Sequence, residues 1–211
     1  MSIEIVLKLL PVGLTPNSSP VGVPVASPRI TIRLPDVQTS LIVQCRSGII
    51  FPNPFPGQIP DRLVIAEELK GNIIDLEGNE LVAVELGHTD TDHTTCLNVP
   101  SIGLVVAGDA AYNDVHLYLA ESNAKTRQEW ISALDKIGSL NPRAVVASHK
   151  RPGNDDNPRI IEETRQYIRD FDRIAEMTTT AQELYDNMLK LYPNRVNQGW
   201  ALWSSARAVK S

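Results

Sequence analysis

Apolar residues in this chain change texture part-way along. From Leu63 onward they form short Val- and Ile-rich runs, alternating with segments in which they recur every three or four positions. The first kind is the period of a strand and the second that of a helix packed by one face. Glu80 to Leu86 reads as a strand, and Thr94 to Val99 pairs with Gly103 to Ala107 across Pro100-Ser101-Ile102 as a hairpin. Thr126-Arg-Gln-Glu129 has the form of a capping box, followed by Trp130, Leu134 and Ile137 at helical spacing until Gly138. Pro142 precedes Arg143 to Ala147, an apolar run too short for a helix and typical of a buried strand. Ile160, Thr164, Tyr167, Phe171 and Ile174 then share one helical face, as do Ala181, Leu184, Tyr185, Met188 and Leu191 before Pro193. The segment bearing Trp200 and Trp203 reads as a short docked helix, its aromatics expected to pack.

Upstream, prolines crowd between Pro11 and Pro35 and again between Pro52 and Pro60. Long helices cannot form there, which leaves Arg29 to Leu34 and Ser40 to Gln44 as short strands. Three regions follow: a Pro-rich segment over residues 1–60, a core domain over 61–176 and a C-terminal helical extension over 177–211. An apolar content of 42% across 211 residues supports a packed core, and a net charge of -5 argues against a nucleic-acid partner. Glu4 and Lys8 interrupt the apolar start and Pro11 ends it, so no membrane partner is expected and the chain reads as cytoplasmic. Cys45 and Cys96 have neither the spacing of a zinc site nor the number for a disulfide framework, and read as ordinary half-buried thiols.

Chemistry concentrates where strands end. Val82 to Leu86 runs into Gly87-His88, Leu104 to Ala107 into Gly108-Asp109, and Ala144 to Ala147 into Ser148-His149. Ligands at the ends of neighbouring strands can converge on one rim, and two imidazoles with a carboxylate suit a divalent transition metal. The other candidates have plainer readings. His116 is a pocket residue or an ordinary loop histidine, and Lys150 and Arg151 greet an anionic substrate or, more simply, face solvent. Gly153-Asn-Asp-Asp-Asn-Pro158 lacks the ligand spacing of an EF-hand and reads as a turn into the next helix.

Gly87-His88-Thr89-Asp90-Thr91-Asp92, Val105-Val106-Ala107-Gly108-Asp109 and Val145-Val146-Ala147-Ser148-His149-Lys150 resemble the third, fourth and fifth motifs of the metallo-β-lactamase superfamily, over roughly Pro56 to Asp172. The resemblance implies an α+β fold, the αββα sandwich, incomplete here in its N-terminal half. It implies a metal-dependent hydrolase, usually with zinc, in which metal-bound hydroxide attacks a carbonyl-type small molecule such as a lactone or lactam. His88 would bind the first metal, Asp109 would bridge two, and His149 would bind the second. The family's first motif, His-x-His-x-Asp-His, should lie upstream, yet no histidine precedes His88. One zinc or none is therefore expected, against two in typical relatives. An alternative alignment lets His88 to His93 stand in for that first motif, with Asp90 replacing its second histidine and Asp92 and His93 as ligands. The alternative function is a truncated or catalytically impaired member with a binding role or none, self-associating through exposed sheet surface.

Overall fold

The computed structural model describes residues 3–6, 29–32, 69 and 71–210. The expected strand over Ser40 to Gln44 lies outside them. The chain divides into two compact units, Met1–Leu69 and Lys70–Ser211. In the first, β1 (Ile3–Val6) and β2 (Arg29–Ile32) pair antiparallel, Ile3 opposite Ile32.

The second unit is α+β, with one five-stranded sheet and, among the described residues, four α-helices. Its strands run in chain order across the sheet: β3 (Ile73–Leu76), β4 (Asn79–Gly87), β5 (Thr94–Val99), β6 (Leu104–Asn113) and β7 (Ala144–Lys150). β3 to β6 are antiparallel neighbours joined by short turns, as the hairpin reading of β5 and β6 required. β7 lies parallel to β6, because helix α1 (Ala124–Ser139) carries the chain back between them. Helix α2 (Arg159–Met177) follows β7, then α3 (Ala181–Leu191), a π-helical turn (Gln198–Leu202) and α4 (Trp203–Val209).

Alternation in the central strands sorts their side chains. Val105 and Ala107 of β6 and Val145 and Ala147 of β7 join Cys96 in one buried cluster with Trp130, Leu134, Tyr167, Phe171, Leu184 and Met188. Trp130 anchors α1 by donating its indole N–H to Ala110 O at 2.8 Å. The intervening residues Val106 and Val146 sit opposite one another on the other face, in a row continued by Leu97 and Ala83. Leu184, Met188, Leu202 and Ala206 belong to the same core, so the helices after residue 177 are packed into this unit.

Two local details differ from the sequence expectation. Helix α1 begins earlier than its Thr126-to-Glu129 signature suggests, because Asn123 is the cap. Its carboxamide oxygen accepts from the N–H groups of Lys125 and Thr126, while the Thr126 hydroxyl receives the Asn123 N–H. Strand β6 runs to Asn113, well past Ala107, so Asp109 lies within a strand instead of at its end.

Candidate functional site at the rim of β6 and β7

Asp109 is placed by a break in the β6–β7 ladder. Gly108 pairs with Ala147 and Tyr112 with His149, so β6 spends four positions where β7 spends two, and Asp109, Ala110 and Ala111 bulge from the ladder. Gly108 opens the bulge at φ 59°, a left-handed backbone that a side chain would resist. His88 is placed by the same device. The register of β4 against β5 shifts between Glu85 and Gly87, and Gly87 has φ 86°. Bulges re-aim side chains, and here each is followed at once by a candidate ligand.

The structure brings Asp109 and His149 together, His149 Nε2 lying 3.3 Å from Asp109 Oδ1. The His149 ring stacks on Tyr112, its register partner, at 4.8 Å between centroids and 22° between planes. Tyr112 is fixed from behind, its N–H donating to the Thr164 hydroxyl at 3.0 Å. The imidazole is therefore held by a buried aromatic while its edge meets the carboxylate.

Asp90 belongs to the same electrostatic neighbourhood. It is buried, and its carboxyl is lifted to about 6, first by burial and then by the charge of Asp109, against a lowering hydrogen bond from Thr89. Sequence reasoning weighed Asp90 only as a substitute in a displaced motif. What could have marked it is its place two residues beyond His88, on the loop that Gly87 turns.

His88 is buried, and its Nδ1 lies 2.7 Å from Asp92 Oδ1. That bond holds the Asp92 carboxyl below its usual range. Its Nε2 is buried with no hydrogen-bond partner. An imidazole donating from Nδ1 to a carboxylate presents Nε2 as a bare lone pair, the arrangement of metal-binding histidines. The donor types therefore fit a borderline divalent ion. The grouping is less complete: among the described residues no three His, Cys, Asp or Glu side chains gather into a metal-holding group. Asp109 and His149 form a pair, and His88 is not gathered with it into one cluster.

The remaining candidates resolve into structural roles. His93 is exposed at φ 57°, and Asp92 orients His88. His116 is wholly buried, with Nδ1 2.9 Å from the Tyr167 hydroxyl. Lys150 and Arg151 are not free in solvent but ion-paired, to Asp156 at 2.7 Å and Asp114 at 3.0 Å. The acidic stretch after Gly153 precedes α2, where Asp155 pairs with Arg159 at 2.7 Å. Cys96 is buried and its thiol pushed up to about 12 by burial, so it stays protonated.

No protein-family model matches the chain, and no curated protein does. Solved structures are similar to it. A metallo-β-lactamase family protein from Thermus thermophilus is 20% identical over 69% of this chain and 48% of its own, with a TM-score of 0.49. A β-lactamase domain protein from Burkholderia ambifaria is 14% identical over 80% of this chain and 52% of its own, with a TM-score of 0.49. A metallo-β-lactamase from Pontibacter korlensis is 14% identical over 61% and 62%, with a TM-score of 0.41. The chain spans less than two thirds of the length of each. No described helix is long and apolar enough to cross a membrane.

Proposed function

We propose that this chain is a metallo-hydrolase of the metallo-β-lactamase superfamily that retains the downstream part of its site. Asp109 and His149, with His88, are the residues that would hold a divalent ion, zinc by donor type. The observation that carries this reading is the 3.3 Å contact of His149 with Asp109 across parallel strands. A metal held there would polarise a carbonyl and activate a water toward it. The chain's own residues do the positioning. Tyr112 fixes the plane of His149, Gly108 turns Asp109 out of the β6 ladder, and Asp92 keeps the Nε2 lone pair of His88 bare. The substrate is a small carbonyl compound such as a lactone or lactam.

Metal content tests this directly. Protein purified without a chelating tag is expected to carry about one zinc per chain, lost in His149→Ala and Asp109→Ala and weakened roughly 10-fold or more in His88→Ala. A second reading, a member without catalysis, is favoured by the lack of a three-residue ligand group among the described residues and by the absence of any histidine before His88. Parent protein with no metal above background, and no turnover of a simple lactone with added zinc, selects that second reading.

A further inference from the structure

After α3 the chain returns to the exit of β6, and its contacts there concentrate on residues 114–119. Val196 bridges Val115 in parallel, accepts the His116 N–H at 2.9 Å and donates to Asp114 O at 3.2 Å. Arg195 is buried, its NH1 donating to Val115 O at 3.0 Å and its NH2 to Glu163 O at 3.2 Å. Ser205 Oγ accepts the Leu119 N–H at 2.7 Å. Leu202 and Ala206 add apolar contact with the core. Trp200 adds little: it is 68% exposed, contrary to the expectation that the C-terminal aromatics pack, and its ring runs parallel to that of Tyr118 at 6.4 Å. Residues 192–209 are thus latched to the β6 exit largely by main-chain bonds and one guanidinium.

His116 lies at the centre of this latch. Its Nδ1 is 2.9 Å from the Tyr167 hydroxyl of α2, and its Nε2 is buried with no hydrogen-bond partner among the described residues. An imidazolium donates from both nitrogens, so a second proton would leave a buried N–H without an acceptor. It would also set one cation near another. The imidazole meets the Tyr167 ring edge-on at 5.8 Å, and the Arg195 guanidinium lies 4.8 Å from the centroid of that same ring. The carboxylates within electrostatic reach of Arg195, Asp114 and Glu163, pair with Arg151 at 3.0 Å and Arg159 at 3.3 Å. Asp170 takes the Tyr192 hydroxyl and pairs with Arg173, each at 2.8 Å. Burial pushes the phenols of Tyr167 and Tyr192 above their ordinary range, so neither supplies a negative charge.

We infer that this latch is acid-sensitive: protonation of His116 releases residues 192–209 from the β6 exit while the sheet stays folded. In the closed form burial, and then Arg195, push the imidazole down to about 4, whereas release returns it toward about 6.5. Between those values the open form binds more protons, so opening gains as pH falls. None of the groups involved is a candidate metal ligand, and the inference stands apart from the hydrolase reading.

Native-state hydrogen exchange followed by NMR tests it on the amides of His116, Leu119 and Val196, whose acceptors lie across the latch. Amides of the β5–β6 ladder report global unfolding, with its full urea dependence. The latch amides are expected to exchange through a smaller opening of shallow urea dependence. Corrected for intrinsic exchange, that opening should become roughly 30-fold more populated from about pH 7.5 to about pH 5. In His116→Gln the rise should shrink to within about 2-fold. If latch and ladder amides share one free energy and one urea slope at both pH values, there is no separate latch and the inference is overturned. A shallow opening that ignores pH overturns it too, as does an acid response that persists in His116→Gln. The first two outcomes are read on the parent alone, so the test survives a variant that does not fold.

Discussion

Gly108 decides where Asp109 sits, and its role can be tested without touching the carboxylate. A Cβ there would meet only Ser148 Oγ, at 3.9 Å, so space does not forbid a side chain; the φ of 59° does. Gly108→Ala is expected to lower stability by about 1–2 kcal/mol, the cost of a left-handed L-residue. The urea midpoint at unchanged slope checks this, and an unchanged midpoint would show that the bulge does not depend on glycine. His116 gives a second test. Its imidazole is pushed down to about 4 by burial and then by Arg195, so it stays neutral in the fold while the unfolded chain takes a proton near 6.5. Between pH 6.5 and about 4 the unfolded state therefore binds more protons, and stability falls as pH falls, by on the order of 3 kcal/mol for this one group. Below that window the loss is complete. His116→Gln should flatten this part of the acid limb, and a variant with the parent's full acid slope would show that other groups carry it.

Between elements, α1 and α2 are joined by two ion pairs, Arg165 with Asp135 and the more buried Arg127 with Asp172. Arg127 Nε contacts Asp172 Oδ1 at 2.5 Å, its NH1 donates to Ser122 O at 3.1 Å, and its guanidinium lies 5.5 Å from the Phe171 ring centroid. Burial raises the Asp172 carboxyl, and Arg127 opposes this. Removing only the cation leaves a desolvated carboxylate. Arg127→Ala is thus expected to cost about 3 kcal/mol, with Arg127→Ala/Asp172→Asn recovering part of it. A double-mutant cycle measures the coupling, and strictly additive losses would refute the pair. The helices themselves were legible from apolar spacing, because each buries one face. The start of α1 was not. Thr126 and Glu129 mimic a capping box, but Asn123 has the backbone dihedrals of a cap, and nothing in the order of residues ranks the two. The length of β6 was hidden for a related reason: Gly108 reads as a strand end, whereas its positive φ lets the strand continue through a bulge.

At the scale of the whole unit, the sequence named the candidate residues but not the neighbours they have in the fold. Gly87-His88, Gly108-Asp109 and Ser148-His149 were visible as strand-end pairs, and the parallel register of β6 with β7 makes two of them meet. The stacking of Tyr112 on His149 and of Tyr118 on Trp200 was not visible, because it depends on contacts remote in the chain. Arg195 shows why. It donates to Val115 O across 80 positions and lies against the touching rings of Tyr167 and Tyr192, at 4.8 and 4.9 Å. That clasp also has a consequence in time. At about 5–20 residues per second of synthesis, some 4 to 16 seconds separate the emergence of Val115 from that of Arg195. During that interval His116 has no Arg195 to oppose its protonation and Tyr118 has no indole beside it. A ribosome paused after α3 (Ala181–Leu191) therefore holds a chain in which Asp109 and His149 are already made while the residue that clasps Val115, Tyr167 and Tyr192 is still to come.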